Sequence, residues 1–183
     1  FDSDHNVAAM TQVLGLDDQY YFESDDLLTT YTYTDGTGTT PIKGLVETVT
    51  DPNNNVTRYI YNSQGLVDTI LYAEMTVDEV TEQYEYDNRD RLSAMIDGRG
   101  ARTEYVYDNL DRLIQRTDPD PVTGGITSAS PVWQYIYDPS GNQTHVIDPL
   151  GNVTEYVYDQ RDRLKAEIQH TVSVPSPVAH WKL

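Results

Sequence analysis

The chain has 183 residues, no cysteine and a formal net charge of −18, from 30 acidic against 12 basic side chains. Disulfides and cysteine-bound zinc are thereby excluded, nucleic acid and anionic membrane surfaces would be repelled, and no apolar run is long enough to span a bilayer. The charge is uneven: residues 1–83 hold fifteen acids against Lys43 and Arg58 alone, and residues 84–183 hold fifteen acids against ten bases. Fifteen tyrosines against two Phe and two Trp favour half-wet β-surfaces, where a large ring with a polar handle fits better than in a dry helical core. No basic-then-apolar signal segment opens the chain, which starts at Phe1 and reads as a processed or excised piece of something longer.

Residues 1–30 predict an irregular N-terminal region. Residues 7–16 suit a strand or a pair of helical turns, and Tyr20-Tyr-Phe22-Glu a degenerate repeat or cap. From Tyr31 a repeat takes over. Tyr-x-Tyr occurs at Tyr31/Tyr33, Tyr59/Tyr61, Tyr84/Tyr86, Tyr105/Tyr107, Tyr135/Tyr137 and Tyr156/Tyr158, in steps of 28, 25, 21, 30 and 21 residues. The base period is 21, with insertions placed at turns: in 34–50, between Leu66 and Tyr84, and between Asp118 and Tyr135. A one-residue slip inside a strand would turn every side chain to the wrong face, so length variation has to lie outside the ladder.

Each unit carries two turn sites. One follows the tyrosines, at Asn62-Ser-Gln-Gly65, Asp87-Asn-Arg-Asp90, Asp108-Asn-Leu-Asp111, Asp138-Pro-Ser-Gly141 and Asp159-Gln-Arg-Asp162. The other lies about ten residues on, at Asp97-Gly-Arg-Gly100 and Asp148-Pro-Leu-Gly151, with Asp51-Pro-Asn-Asn54 as a variant. An Asp or Asn that caps its own backbone, a Pro that presets φ and a Gly that accepts positive φ are what a type I turn prefers. Asp90, Asp111 and Asp162 replace that glycine with a residue that tolerates the left-handed region.

Between turns the sequence alternates with period two. Thr154, Tyr156 and Tyr158 share one face, and Leu164, Ala166 and Ile168 oppose Arg163, Lys165 and Glu167. The density of Gly, Pro, Asn and Asp argues against helix. The expected fold is therefore all-β: antiparallel strand-turn-strand repeats of about 21 residues, stacked into a continuous spiralling sheet, a β-solenoid or shell segment, adding about 10 Å per repeat. Its parts are the region 1–30, a repeat array over 31–168, and a Pro-containing exit strand over 169–183, where two prolines halt pairing. Structural positions are expected at Tyr59, Tyr61, Tyr84, Tyr86, Tyr105, Tyr107, Tyr135, Tyr137, Tyr156 and Tyr158 as a cross-strand ladder, and at Asp87, Asp108, Asp138, Gly141, Asp148, Gly151 and Asp159 in the turns.

These strings resemble the YD repeat of Rhs proteins, with related repeats in toxin-complex C components and teneurins. The match is close over 57–168 and loose over 20–56, and Asp148-Pro-Leu-Gly-Asn-Val-Thr154 running into Tyr156-Val-Tyr-Asp159 is a near-ideal copy. The resemblance implies a hollow β-shell in a secreted or cell-surface protein, with other parts of the same large protein as partners, an encapsulated toxin-like C-terminal domain among them. Rhs cores close with an Asp-Pro-x-Gly-Leu segment of a self-cleaving aspartyl protease. Here Asp148-Pro-Leu-Gly151 is followed by Asn152 and lies within the array, so protease activity is not carried over.

Chemistry beyond scaffolding is thinly signalled. The tyrosines, with Trp133 and Trp181, could form a platform for sugars or peptides, but their regular spacing suits a ladder better. Calcium needs several oxygens converging from one short loop, whereas each Asp here is accounted for by its own turn. Asp25, Asp26 and the acidic first half are where a calcium site would fall, and no cofactor is otherwise called for. His5, His145, His170 and His180 have no recurrent carboxylate or serine partner, and no nucleophile elbow, HExxH helix or phosphate-binding glycine loop occurs. Asn55, Asn142 and Asn152 head glycosylation sequons that coincide with turn exits. The reading is a non-enzymatic scaffold. Its alternatives are an adhesive or matrix-forming protein whose copies pair head to tail in a β-filament, and a calcium-stabilised solenoid.

Overall fold

A computed structural model describes residues 9–12, 27–37 and 42–172. The sequence expectations for Tyr20–Phe22, Asp25, Asp26, His5, His180, Trp181 and the prolines of the exit strand lie outside those residues. The chain divides into two compact units, residues 1–101 and 102–183. The first holds β1 (Ala9–Gln12), β2 (Leu27–Asp35), β3 (Lys43–Thr50), β4 (Val56–Tyr61), β5 (Val67–Tyr72), β6 (Val80–Tyr86) and β7 (Leu92–Ile96). The second holds β8 (Arg102–Tyr107), β9 (Leu113–Thr117), β10 (Val132–Tyr137), β11 (Gln143–Ile147), β12 (Val153–Tyr158) and β13 (Leu164–His170). Within each unit every strand pairs antiparallel with its neighbours in chain order. The described residues contain no helix.

Each unit is one sheet, and the burial pattern follows from that. Ala94 is the single fully buried apolar residue among those described, and most strand positions before β13 are half-buried. A lone sheet has no second layer on which to bury a face. Cross-strand pairs and contacts between successive hairpins therefore carry much of the stability, which accounts for the choice of tyrosine over phenylalanine.

The two later insertions sit in loops, and the first, in 34–50, lies partly outside the described residues. The four extra residues after Leu66 form the bend at 73–79, where Ala73 and Met75 take positive φ of 53° and 62°. The insertion after Asp118 folds on the carboxylate of Asp120, which accepts the backbone N–H of Val122 and Thr123 and the hydroxyl of Thr127.

The structure corrects the alternation read for the last strand. Tyr158 pairs with Leu164 but Val157 pairs with Ala166, so Lys165 is an extra residue and the register shifts there. Leu164 thus opposes Tyr158 while Ala166 and Ile168 oppose Val157 and Glu155, and the three do not share a face. The same shift recurs in every hairpin after a tyrosine pair. Tyr33 opposes Val46, Tyr61 opposes Val67, Tyr86 opposes Leu92, Tyr107 opposes Leu113 and Tyr137 opposes Gln143, one residue short of strict register each time. A β-bulge adds local twist and re-aims side chains, here always opposite the second tyrosine.

Candidate functional site

The repeated construction lies at the turn end of each hairpin. At Asp87 the N–H donates to the Arg91 carbonyl at 2.9 Å, and the Asp90 N–H donates back to the Asp87 carbonyl at 3.1 Å. This is a three-residue hairpin loop, a type I turn closed by one left-handed residue. Asp90, Asp111 and Asp162 hold φ of 60°, 61° and 57°, and Asn54 63°. Gly141 and Gly151 fill the same position with φ of 95° and 85°, where a Cβ is disfavoured.

Where an Asp opens the turn, its whole carboxylate is built in. In Asp148, Oδ1 accepts the N–H of Leu150 and of Asn152, both at 2.8 Å, and Oδ2 accepts Asn152 Nδ2 at 2.7 Å. Asp138 receives the Asn142 N–H and side chain likewise. Asp87, Asp108 and Asp159 receive an arginine Nε instead, from Arg91, Arg112 and Arg163, at 2.7, 2.7 and 2.8 Å. The side-chain hydrogen bonds of Asn142, Asn152, Arg91 and Arg163 hold Asp138, Asp148, Asp87 and Asp159 below the ordinary carboxylate range. At Asp108 desolvation pushes upward but is outweighed by the hydrogen bonds from Arg112. Sequence reasoning named these aspartates and missed their partners. The signal was present: Arg or Asn stands four residues after the turn Asp at 55, 91, 112, 142, 152 and 163.

Two contacts then join one hairpin to the next. In four pairs the second tyrosine reaches back to a carbonyl beside the preceding bulge: Tyr61 to Val46 at 2.7 Å and Tyr86 to Val67 at 2.7 Å in the first unit, Tyr137 to Leu113 at 2.9 Å and Tyr158 to Gln143 at 3.0 Å in the second. Each accepting residue is the one opposite the previous unit's second tyrosine. Burial raises the pKa of Tyr61, Tyr86 and Tyr137, which keeps the hydroxyls as donors. The side chain four residues after the turn Asp reaches forward. Arg112 NH1 donates to the Asp138 carbonyl at 3.0 Å and its guanidinium lies 4.8 Å from the Tyr137 ring centroid. Asn142 Nδ2 donates to Asp162 Oδ1 at 2.8 Å. The first tyrosines, Tyr59, Tyr84, Tyr105, Tyr135 and Tyr156, are half-buried in the strands, and the Tyr84 hydroxyl donates to Glu82 at 2.8 Å. Tyr107 ends β8 opposite Leu113.

Between successive turns lie open polar grooves. One of about 580 Å³ runs past Asp138, Asn142, Glu155 and Asp162, and one of about 420 Å³ past Gln64, Asp68, Glu85 and Asp90. The other candidates are tied into the scaffold. Trp133 donates its Nε1 to Asp118 at 3.0 Å and has Arg116 over its ring at 5.4 Å, so one ring face is covered. His145 lies 3.0 Å from the Thr144 hydroxyl and His170 3.2 Å from Glu155. The amides of Asn55, Asn142 and Asn152 all donate to turn carboxylates, bonds that a glycan at Nδ2 would weaken. Among the described residues no three His, Asp or Glu side chains converge as a metal site would need.

The RHS Repeat family model matches residues 86–123 and 129–171, which hold this construction of tyrosine pair, Asp turn and bulged return strand. Over those residues the chain carries RHS repeats. Its fold is similar to that in the crystal structure of TcdB2-TccC3 without the hypervariable C-terminal region, with TM-score 0.65 and 21% identity. It is also similar to TcdB2-TccC3-Cdc42, with TM-score 0.64 and 20% identity, and to the Photorhabdus luminescens Tc holotoxin pore, with TM-score 0.63 and 20% identity. Each likeness covers 78% of this chain and 7% of the other, so these RHS repeats span a small part of the length of the chains they resemble. No curated protein sequence matches the chain.

Proposed function

We propose that this chain is a wall segment of a larger secreted, toxin-complex-like RHS shell, and that it encloses or presents a toxin-like domain of the same polypeptide without catalysing a reaction. The observation that carries this reading is the hairpin-to-hairpin contact, in which the conspicuous side chains are committed to the next repeat. A turn carboxylate holding two backbone N–H groups and a side chain is poorly placed to act as a general base. A tyrosine held as a donor to a carbonyl is structural on the same grounds. The likeness in fold to TcdB2-TccC3 supports a shell. The surface charge supports a wall that stays soluble and avoids polyanions.

The test is made in the full-length polypeptide that contains this segment. Limited proteolysis of the intact protein is compared with that of a variant carrying Tyr86→Phe, Tyr137→Phe and Arg112→Ala. A wall predicts that sequences downstream of the segment resist protease in the intact protein and become cleavable, at roughly tenfold lower protease, when the hairpin contacts are weakened. Equal cleavage of the downstream sequences in both would remove enclosure from the reading.

A further inference from the structure

One position decides how the space between successive turns is used. It is the fourth residue after the turn Asp or Asn, just before the return strand: Leu66, Arg91, Arg112, Asn142 and Arg163. Arg112 shows what fills that space within the second unit. Its Nε donates to Asp108 Oδ2 at 2.7 Å, its NH1 donates to the Asp138 carbonyl at 3.0 Å, and its guanidinium lies over the Tyr137 ring. A planar, always charged fork serves a carboxylate, a carbonyl and an aromatic face at once.

Where the position holds a shorter or apolar side chain, a groove is open. One hairpin further along the second unit it is Asn142, which spans only from Asp138 Oδ2 at 3.0 Å to Asp162 Oδ1 at 2.8 Å. The groove of about 580 Å³ beside it is lined by Tyr158 and Asp159, the counterparts of Tyr137 and Asp138, and by Glu155 and Asp162. In the first unit the position is Leu66, and the groove of about 420 Å³ is lined by Tyr86 and Asp87, the same two counterparts, and by Asp90. Among the described residues no Lys or Arg lines either groove. The Asp159 carbonyl accepts the Asp162 N–H at 3.0 Å, as the Asp138 carbonyl accepts that of Gly141 at 3.1 Å. A carbonyl has two acceptor sites, and at Asp138 the second is the one that Arg112 takes.

We propose that these two grooves are guanidinium sites, open counterparts of the place that Arg112 fills, and that each takes an arginine side chain of a partner polypeptide. In the second unit the guanidinium lies against the Tyr158 ring and donates to the Asp159 carbonyl. Asp138 and Asp159 are taken up by their own turns, so Glu155 and Asp162 supply the negative charge that Asp108 supplies to Arg112. His145 also lines this groove, and His170 lies 3.2 Å from Glu155. The carboxylates alone do not make the site; what points to the ligand is Arg112, held by the same tyrosine and turn carbonyl one hairpin earlier. The net charge of −18 favours approach of a basic partner. This proposal does not depend on enclosure of a cargo.

The experiment uses the full chain and follows backbone amides by NMR. N-acetyl-arginine amide should give saturable shifts at Glu155, Asp159 and Asp162. N-acetyl-lysine amide should need roughly fivefold higher concentration, because an ammonium neither stacks on the ring nor bridges carbonyl and carboxylate as the planar fork does. Asp162→Asn keeps a residue that tolerates the left-handed position and an acceptor for Asn142. Combined with Glu155→Gln, it should weaken the arginine response about tenfold through loss of the charge-assisted contacts. Asn142→Arg should fill the groove from within and abolish the shifts at these amides, since arginine already stands at this position after three other turns. A blocked Gly-Arg-Gly peptide should bind as well as the amide. Shifts that do not saturate, equal responses to the arginine and lysine amides, or undiminished shifts in the Asn142→Arg chain would overturn the site. Binding of the amide without binding of the peptide would overturn the polypeptide as its source. Should Asn142→Arg fail to fold, the Glu155→Gln, Asp162→Asn chain decides, and an undiminished response there overturns the site.

Discussion

The hydroxyls of Tyr61, Tyr86, Tyr137 and Tyr158 lie on carbonyls of the preceding hairpin, so phenylalanine would keep the ring and lose the bridge. Tyr86→Phe and Tyr137→Phe are each expected to lower stability by about 0.5–1.5 kcal/mol, the range for a neutral hydrogen bond, as measured by urea denaturation. An unchanged midpoint would mean that water replaces the bridge at no loss. The left-handed turn positions separate by context. Asp90→Gly should be neutral or stabilising and Asp90→Val should cost about 1–2 kcal/mol, because a β-branched residue tolerates positive φ poorly. At Asp162 glycine also removes the acceptor of Asn142, so Asp162→Gly should gain less than Asp90→Gly. The type I turns were legible in the sequence because Asp, Pro and Gly have strong local preferences. The acceptor function of Asp162 was not, since it depends on which residue the next hairpin sets beside it.

Each hairpin combines a turn locked from within and a bulge that lets the second tyrosine reach back. The turn was readable from its spacing. The bulge was not, because the sequence keeps its period-two pattern across the extra residue while the faces change, and the change appears only in the pairing, as at Lys165 between Leu164 and Ala166. The arginines after the turns differ in their forward contacts. Arg112 holds Asp108 and the Asp138 carbonyl, so Arg112→Ala should cost about 1.5–3 kcal/mol, as for hydrogen bonds to charged groups. Arg163 is mostly exposed, and Arg163→Ala should change stability by less than about 1 kcal/mol. Similar effects at both positions would mean that the forward contact adds nothing. The turn carboxylates also set an acid limit. Asp51, Asp87, Asp138, Asp148 and Asp159 have pKa values lowered by folding. Their contribution is therefore complete above the unfolded value near 3.9 and is lost as pH falls through the lower folded values. In about 0.15 M salt, which screens the general repulsion of the acidic surface, the thermal midpoint should be flat above about pH 5 and fall below about pH 4. A midpoint that rises on acidification through that window would show that relief of charge repulsion outweighs the turns.

Across the molecule, the all-β class, the repeat period and the placement of the two later insertions were legible, because period-two alternation and turn chemistry are local properties of the chain. The absence of a dry core could be anticipated only in part, from the excess of tyrosine over phenylalanine. Ala94 is the one fully buried apolar residue among those described, so hairpin-to-hairpin contacts take over much of what a core supplies elsewhere. Stability should then be distributed as in other repeat arrays, approximately as a sum of units and their nearest-neighbour contacts. The most direct test is amide hydrogen exchange in the Arg112→Ala, Tyr137→Phe double variant, read strand by strand. The account predicts a loss of protection of about tenfold or more in β9, β10 and β11, the strands flanking the altered junction, with β4, β5 and β6 essentially unchanged. A uniform loss from β2 to β13, or no loss at the altered junction, would contradict it.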